Sequence, residues 1–448
     1  MRERTILNET MIAAHSLAAW KGMATMIRRT VISRATWRTT PLALTAWLAI
    51  ASFTFACPFC SAPSLTLTEQ STQSDVVVLA GWKSGSKGSA TDANQDATTT
   101  FEIREVLKGP FKKGDTVTLA GYQPAEQGEL FLLTGINTEL VQWDIPTAFT
   151  ETAFDYLKNS PAPSTPDGEK VAPRKRLPYF VKNLENADEV IANDAYGEFA
   201  NSPYDEIVAI KEHLDRDILR EWVIDPETPP SRLGLYGLLL GLSGNAEDAK
   251  AMEELIAKPT NDFRIGLDGV MSGYLLIREE PGLELVSELK LENEYTVDRS
   301  GKAVTDENGD KIPVPFSETY AAMQAVRFMW DYGNGQIDAD ALRKTMRVLL
   351  NRPELADLAI ADLARWEDWS IMKRLFDLYD EEAYQIPGIK RSIIRYFDAA
   401  MKNKPEAKDG ESEVVPEHAK QAAEYYAELK KKDPDMVKSV EQFLILVQ

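Results

Sequence analysis

The two cysteines of this 448-residue chain, Cys57 and Cys60, are the residues whose type and spacing point most directly to chemistry. A Cys-x-x-Cys pair can form a local disulfide, exchange electrons with another thiol pair or supply ligands to zinc. Attachment of a c-type haem would need a histidine directly after the second cysteine, where Ser61 stands. A tetrahedral zinc site would need further ligands, and beyond residue 56 the only histidines are His213 and His418. We therefore predict a local disulfide, with a thiol-redox role as the alternative.

The segment before Cys57 has the layout of an export leader. Residues 1–56 contain seven Arg or Lys but two acidic residues, and the apolar run 41–55 leads into the small-x-small pattern Thr54-Phe55-Ala56. A basic region, an apolar stretch and such a pattern are typical of a secretory signal peptide. The apolar run is shorter than the roughly 20 residues that span a bilayer. We predict that residues 1–56 are a leader and that the mature chain is exported to the periplasm, the cell surface or the medium. An uncleaved N-terminal anchor is the alternative.

The charge balance excludes some classes of partner. The whole chain carries 50 Lys and Arg against 70 Asp and Glu, a net charge of −20, and loss of the basic leader would make it more acidic. A nucleic-acid partner needs a positive footprint for its phosphates. The remaining basic clusters are short and far apart, so we expect neither a nucleic-acid partner nor an anionic membrane surface.

Behind the cysteines, residues 57–145 have the alternation of a small β domain. The segments 75–83, 98–107, 115–120, 129–134 and 138–143 are strand candidates, separated by Gly-, Ser-, Asp- and Pro-rich turns. Five short strands suit a small barrel or sandwich.

Three motifs of this β domain carry a resemblance to a known family. They follow the cysteine pair and read SDVVVLAG, TFEIREVLKGPFKKGDTVTLAG and GELFLLTG. In their order they resemble netrin-like domains, the OB-type barrels of tissue inhibitors of metalloproteinases (TIMP). The resemblance implies a β-barrel over residues 57–145. For the inhibitors of that family it also implies zinc chelation by the amine and carbonyl of an N-terminal cysteine, here Cys57. The family spacing is Cys-x-Cys, with disulfides to later cysteines that this chain lacks.

From residue 146 onward the signals are helical. Residues 146–173 predict a helix and a Pro-rich linker, and residues 174–401 predict a series of short amphipathic helices broken by Pro and Gly. Segments 231–256 and 353–376 match in register, and their offset corresponds to three units of about 40 residues, the period of HEAT repeats. The region resembles degenerate HEAT-like α-helical arrays of exported bacterial proteins. We predict a solenoid with a β-hairpin insertion at 291–315, a linker at 402–415 and a capping helical hairpin at 416–448.

No motif for a catalytic site accompanies this architecture. The sequence contains no Gly-rich phosphate loop, no His-Glu-x-x-His and no nucleophile elbow. Trp366 and Trp369 flank Glu367-Asp368 and are candidates to line a groove, although aromatic residues at helical spacing are commonly core. We expect a non-catalytic exported binding or scaffolding protein, with a protein partner, no cofactor and no metal. A thiol-redox protein and a TIMP-like inhibitor are the alternatives.

Overall fold

A computed structural model describes residues 57–60, 65–88, 96–137, 140–260, 263–298, 301–404 and 415–447. They all belong to one compact unit. The predicted leader 1–56 and most of the predicted linker 402–415 lie outside the described residues.

The first part of the chain is an antiparallel sheet preceded by a short helix. The helix is α1 (Leu67–Gln73). The strands are β1 (Val76–Ser86), β2 (Thr98–Lys108), β3 (Thr116–Ala120), β4 (Leu130–Asn137), β5 (Val141–Trp143) and β6 (Thr147–Ala148). Their order is β3-β2-β1-β4-β5, and β6 also pairs with β4. Each of the five predicted strand segments overlaps a strand, whereas the two-residue β6 was not predicted.

The sheet is curled but does not close. Its register shifts between Val77 and Val78, between Leu79 and Ala80, and again beyond Trp82. Such bulges bend a strand and increase its twist. One face, which includes Val77 and Leu79, joins the core of the helices. The other face encloses a separate small core. Its buried residues are Val76, Val78, Ala80, Phe101, Ile103, Val117, Leu119, Phe131 and Leu133.

The second part of the chain is helical. Its α-helices are α2 (Glu151–Asn159), α3 (Pro173–Phe180), α4 (Glu189–Ala200), α5 (Tyr204–Val208), α6 (Arg216–Ile224), α7 (Pro230–Ser243), α8 (Ala246–Ala257), α9 (Leu267–Val286), α10 (Phe316–Tyr332), α11 (Ala339–Val348), α12 (Pro353–Arg365), α13 (Met372–Leu378), α14 (Pro387–Lys402), α15 (Glu417–Lys432) and α16 (Pro434–Val447). The protein is therefore a mixed fold in which a β sheet is followed by helices.

Proline and the hairpin segment interrupt the helices where the sequence indicates a break. Within α9 the backbone leaves the helical region at Glu279, two residues before Pro281, and a π-helical turn follows at Ser287–Glu292. The chain then folds back on itself through the bridges Tyr295↔Pro313, Val297↔Ala303 and Thr305↔Lys311. Residues 291–315 thus contain two tight reversals between α9 and α10.

The helices α7 and α9 cross in close contact through glycines. A Cβ added at Gly269 would lie 2.1 Å from the carbonyl oxygen of Gly234, and one added at Gly273 would lie 2.0 Å from that of Gly237. No side chain fits at such distances, so the two backbones touch directly. The helix pair at 231–256 was predicted from its apolar pattern, but this glycine crossing was not.

Candidate functional site

Cys57 and Cys60 form a disulfide that holds a small loop against the helices. Their Cα atoms are 5.4 Å apart, and the Cys60 N–H donates to the carbonyl of Cys57 at 3.3 Å. Between them, the Phe59 ring centroid lies 5.1 Å from that of Phe328 in α10, and the carbonyl oxygen and Cβ of Phe59 lie beside Gly234 in α7. Cys57 is 4% exposed, and Cys60 is partly buried. The loop thus fastens the start of the described chain to two helices.

The disulfide borders a cleft of about 390 Å³ whose charged side chains are paired with one another. Arg327 donates to Asp362 at 2.5 Å, and Arg365 lies 3.3 Å from Asp362 and 3.7 Å from Asp331. Burial raises the pKa of Asp362, and Arg327 opposes that shift. Reactive cysteines of low pKa lie in partly exposed, electropositive surroundings. Here Cys57 is buried, and both Arg327 and Arg365 have carboxylate partners. The surroundings therefore fit a structural disulfide better than a redox-active one.

Trp366 and Trp369 lie in different environments. Trp366 is 1% exposed and stacks on Trp330, with the ring centroids 4.4 Å apart. Trp369 is partly buried and stacks on His418 of α15, with the ring centroids 5.8 Å apart. Trp366 is therefore a core residue, and Trp369 belongs to the contact between α15 and the preceding helices. His213, the other histidine considered as a zinc ligand, is exposed on a short 3-10 turn.

A buried ionic cluster, not anticipated from the sequence, ties α1 to the helices. Arg176 of α3 donates at 2.8 Å to both carboxylate oxygens of Glu198 in α4, and Thr68 of α1 donates to the same carboxylate. The backbone N–H of Leu67 and the hydroxyl of Tyr156 donate to Asp194 at 2.6 and 2.8 Å. These groups come from four helices, so the cluster stabilises the packing of the N-terminal helix.

The cluster predicts a pH dependence of stability through Asp194. Burial, with a further contribution from the charge of Glu198, raises its pKa from 3.8 to about 7, although Leu67, Tyr156 and Arg176 oppose the shift. Between those values the folded state holds a proton that the unfolded state lacks, so stability falls as pH rises, by at most about 1.4 kcal/mol per pH unit. Asp194→Asn should remove this slope in urea unfolding between about pH 4 and pH 7. Equal slopes for variant and wild type would contradict the assignment.

An acidic groove lies in the helical part, between the end of α9 and α11. Its volume is about 530 Å³, and one rim carries four exposed glutamates at intervals of four residues. They are Glu280, Glu284, Glu288 and Glu292. The floor includes Leu283 of α9 and Thr345 and Val348 of α11, and Lys344 lies on the opposite side. The i, i+4 spacing of the glutamates was visible in the sequence, but only the fold shows that they face a groove.

Like charges at this spacing repel each other and destabilise a helix by about 0.2–0.5 kcal/mol per pair. Among the described residues no salt bridge to these four glutamates is seen. The nearest polar contacts are hydrogen bonds, from Ser287 to Glu292 at 2.8 Å and from the Asp338 N–H to Glu280 at 3.4 Å. The groove therefore presents concentrated negative charge beside a smaller apolar area formed by Leu283, Ala341 and Val348.

Among the residues that the structure describes, no group of three or more His, Cys, Asp or Glu side chains is arranged to hold a metal ion. Nor does any helix of those residues have the length and apolar character needed to cross a bilayer. Comparison of the chain with protein-family models and with curated proteins finds no match.

Proposed function

We propose that this is an exported, non-catalytic binding or scaffolding protein whose helical part docks a protein partner in the groove between α9 and α11. The observation that carries the proposal is the groove itself, with its four glutamates beside the apolar side chains of Leu283 and Val348. The partner segment that complements it is cationic and amphipathic, such as a basic helix with one apolar face. Such a segment would place lysine or arginine against the glutamates and leucine-like side chains against Leu283 and Val348.

The packing of the helices supports a HEAT-like architecture for this surface. Helices two apart in sequence pack on one another, as α6 does on α8, α7 on α9, α12 on α14 and α14 on α16. Stacked helix pairs produce such contacts, and solenoids use the resulting extended surfaces for binding. The strand order likewise supports the OB-type resemblance, because β1 lies between β2 and β4 and the edge strands β3 and β5 run in the same direction. Export remains the proposal made from the leader-like residues 1–56.

The two alternatives find less support in the geometry. Thiol exchange requires attack on an accessible sulfur, and Cys57 is buried while its loop is anchored by Phe59. A TIMP-like inhibitor would have to project Cys57 into a protease, yet here that residue lines the same cleft as Phe328. Neither alternative is our proposal.

The proposal predicts salt-sensitive binding of a basic amphipathic peptide. We expect a fluorescently labelled helical peptide with one lysine face and one leucine face to bind the wild type, as measured by anisotropy. Glu284→Gln/Glu288→Gln should weaken this binding about tenfold, since two exposed charge pairs are lost. Raising the salt from low to physiological ionic strength should weaken the wild-type complex and affect the double variant less.

Matched controls separate the groove from the net charge. Glu424→Gln/Glu428→Gln removes two exposed glutamates at the same spacing on α15 and should leave the affinity unchanged. Cys57→Ser/Cys60→Ser should also leave it unchanged, whereas a redox-dependent function would be lost. Equal weakening by the α9 and α15 double variants would show non-specific attraction and would overturn the proposal.

A further inference from the structure

A further open surface, on the β part of the chain, is a slot between the two edges of the sheet. It has a volume of about 520 Å³ and is lined by Thr118 and Leu119 of β3 and by Val141 and Trp143 of β5. Phe101 of the small β core lies at its base. On the β5 side, Leu140 and Ile145 are 82% and 86% exposed. The slot is thus an opening into the core of the curled sheet, with apolar side chains beside it.

The directions of the strands explain why the slot does not close by antiparallel pairing. Because β1, β2 and β3 pair antiparallel in succession, β3 runs in the direction of β1. Because β1, β4 and β5 also pair antiparallel in succession, β5 runs in that direction too. The two edges are therefore parallel to each other. One added strand of the opposite direction would be antiparallel to both and would complete an all-antiparallel ring.

The backbone of β3 offers such a strand a hydrogen-bonding edge. In antiparallel pairs every second residue exchanges hydrogen bonds with its partner strand. Just beyond the two ends of β3, the Gly121 N–H donates to the Ala97 carbonyl, and the Asp115 carbonyl accepts from the Ile103 N–H. Because hydrogen-bonded residues alternate along the strand, the odd-numbered residues of β3 are the ones that bond to β2. The N–H of Thr118 consequently points away from β2, toward the open edge. On the other side, β5 is short and is followed by Pro146, so β3 provides the longer edge.

We propose that this slot takes up an extended polypeptide strand of another protein, which pairs with β3 and runs antiparallel to both β3 and β5. Unpaired strand edges select an extended backbone rather than a helix or a small molecule. The inner faces of Leu119, Val141 and Trp143 select apolar residues at alternate positions of the incoming strand. This site lies on the sheet and does not depend on the groove between α9 and α11.

The test uses a labelled synthetic peptide of alternating Thr and Val with a lysine at each end, titrated into the full chain and followed by anisotropy. We expect saturable binding that is abolished when the central Val of the peptide is replaced by Pro. Thr118→Pro should weaken binding about tenfold, because it removes an outward backbone donor without removing a backbone bond to β2. The hydrogen bond between the hydroxyls of Thr118 and Thr100 is lost as well, but Thr118→Ala also loses it. Thr118→Ala keeps that backbone donor and should bind within about twofold of wild type.

A second variant keeps the test decisive if Thr118→Pro does not fold. Val141→Lys leaves the β3 edge intact but places a charge in the slot, and it should weaken binding as well. Absence of binding to the wild type, or equal affinities for Thr118→Ala and a folded Thr118→Pro, would overturn the proposal. So would sedimentation showing a dimer that Val141→Lys dissociates, because a second copy would then occupy the slot.

Discussion

Gly273→Ala is expected to lower the free energy of unfolding by about 3 kcal/mol, at the upper end of the usual cost of overpacking a core. The added methyl carbon would lie 2.0 Å from the carbonyl oxygen of Gly237, which is backbone and cannot rotate away. α7 and α9 would have to separate along their whole crossing, which also involves Gly234, Gly241 and Gly269. Urea unfolding followed by circular dichroism measures the change.

Gly197→Ala is the matched control for this substitution. Gly197 is also a buried helical glycine, but the nearest atom to its added Cβ is the methyl of Thr66 at 3.5 Å, an ordinary contact. Since alanine is the better helix former, this variant should be neutral or stabilised by up to about 1 kcal/mol. If Gly273→Ala were as well tolerated as Gly197→Ala, the α7–α9 crossing described above would be wrong.

Glu318→Gln is the second substitution with a large expected effect. The carboxylate of Glu318 accepts from the Lys290 ammonium at 2.5 Å and from Arg264 at 2.5 Å, and both Lys290 and Glu318 are 2% exposed. Neutralising Glu318 leaves the Lys290 charge buried without a counter-charge, which costs about 3 kcal/mol or more. The exposed pair Lys373–Asp377 provides the control, since Asp377→Asn should change stability by less than about 1 kcal/mol.

The loss of stability caused by Glu318→Gln should depend on pH. Burial lowers the pKa of Lys290 below 10.5, and the charge of Glu318 opposes that shift. In the variant the charge of Glu318 no longer opposes this shift, so the pKa of Lys290 falls further. The unfolded state then binds more protons than the folded state at alkaline pH, and stability rises with pH. The difference between variant and wild type should therefore shrink from pH 7 to about pH 10. If the difference in the free energy of unfolding stayed constant over this range, Lys290 would not be a buried ammonium group in the variant.

Local patterns in the sequence were enough to locate most elements of the fold. Alternation places a strand within 98–107, where one side of β2 is buried, and the apolar run of 75–83 places another, where both faces of β1 are buried. Apolar spacing and a turn at Gly244-Asn245 likewise indicate the helices α7 and α8. In each case the signal comes from residues that are neighbours along the chain.

The features that depend on distant residues could not be obtained in that way. The Glu318–Lys290 pair joins positions 28 residues apart, and Leu67 and Asp194 are separated by 127. In the sequence Lys290, Glu318 and Asp194 look like ordinary solvated charges of an acidic chain. The slot between β3 and β5 depends on the direction of five strands, and the groove depends on how α11 lies beside α9. Both binding surfaces therefore became visible only in three dimensions.

Hydrogen-exchange mass spectrometry with and without the basic amphipathic peptide tests the proposed function most directly. The groove account predicts slowed exchange confined to the end of α9, the following π-helical turn and α11, and weaker slowing in the Glu284→Gln/Glu288→Gln variant at the same peptide concentration. Slowed exchange elsewhere on the helices, with none along residues 280–292 and 339–348, would contradict it.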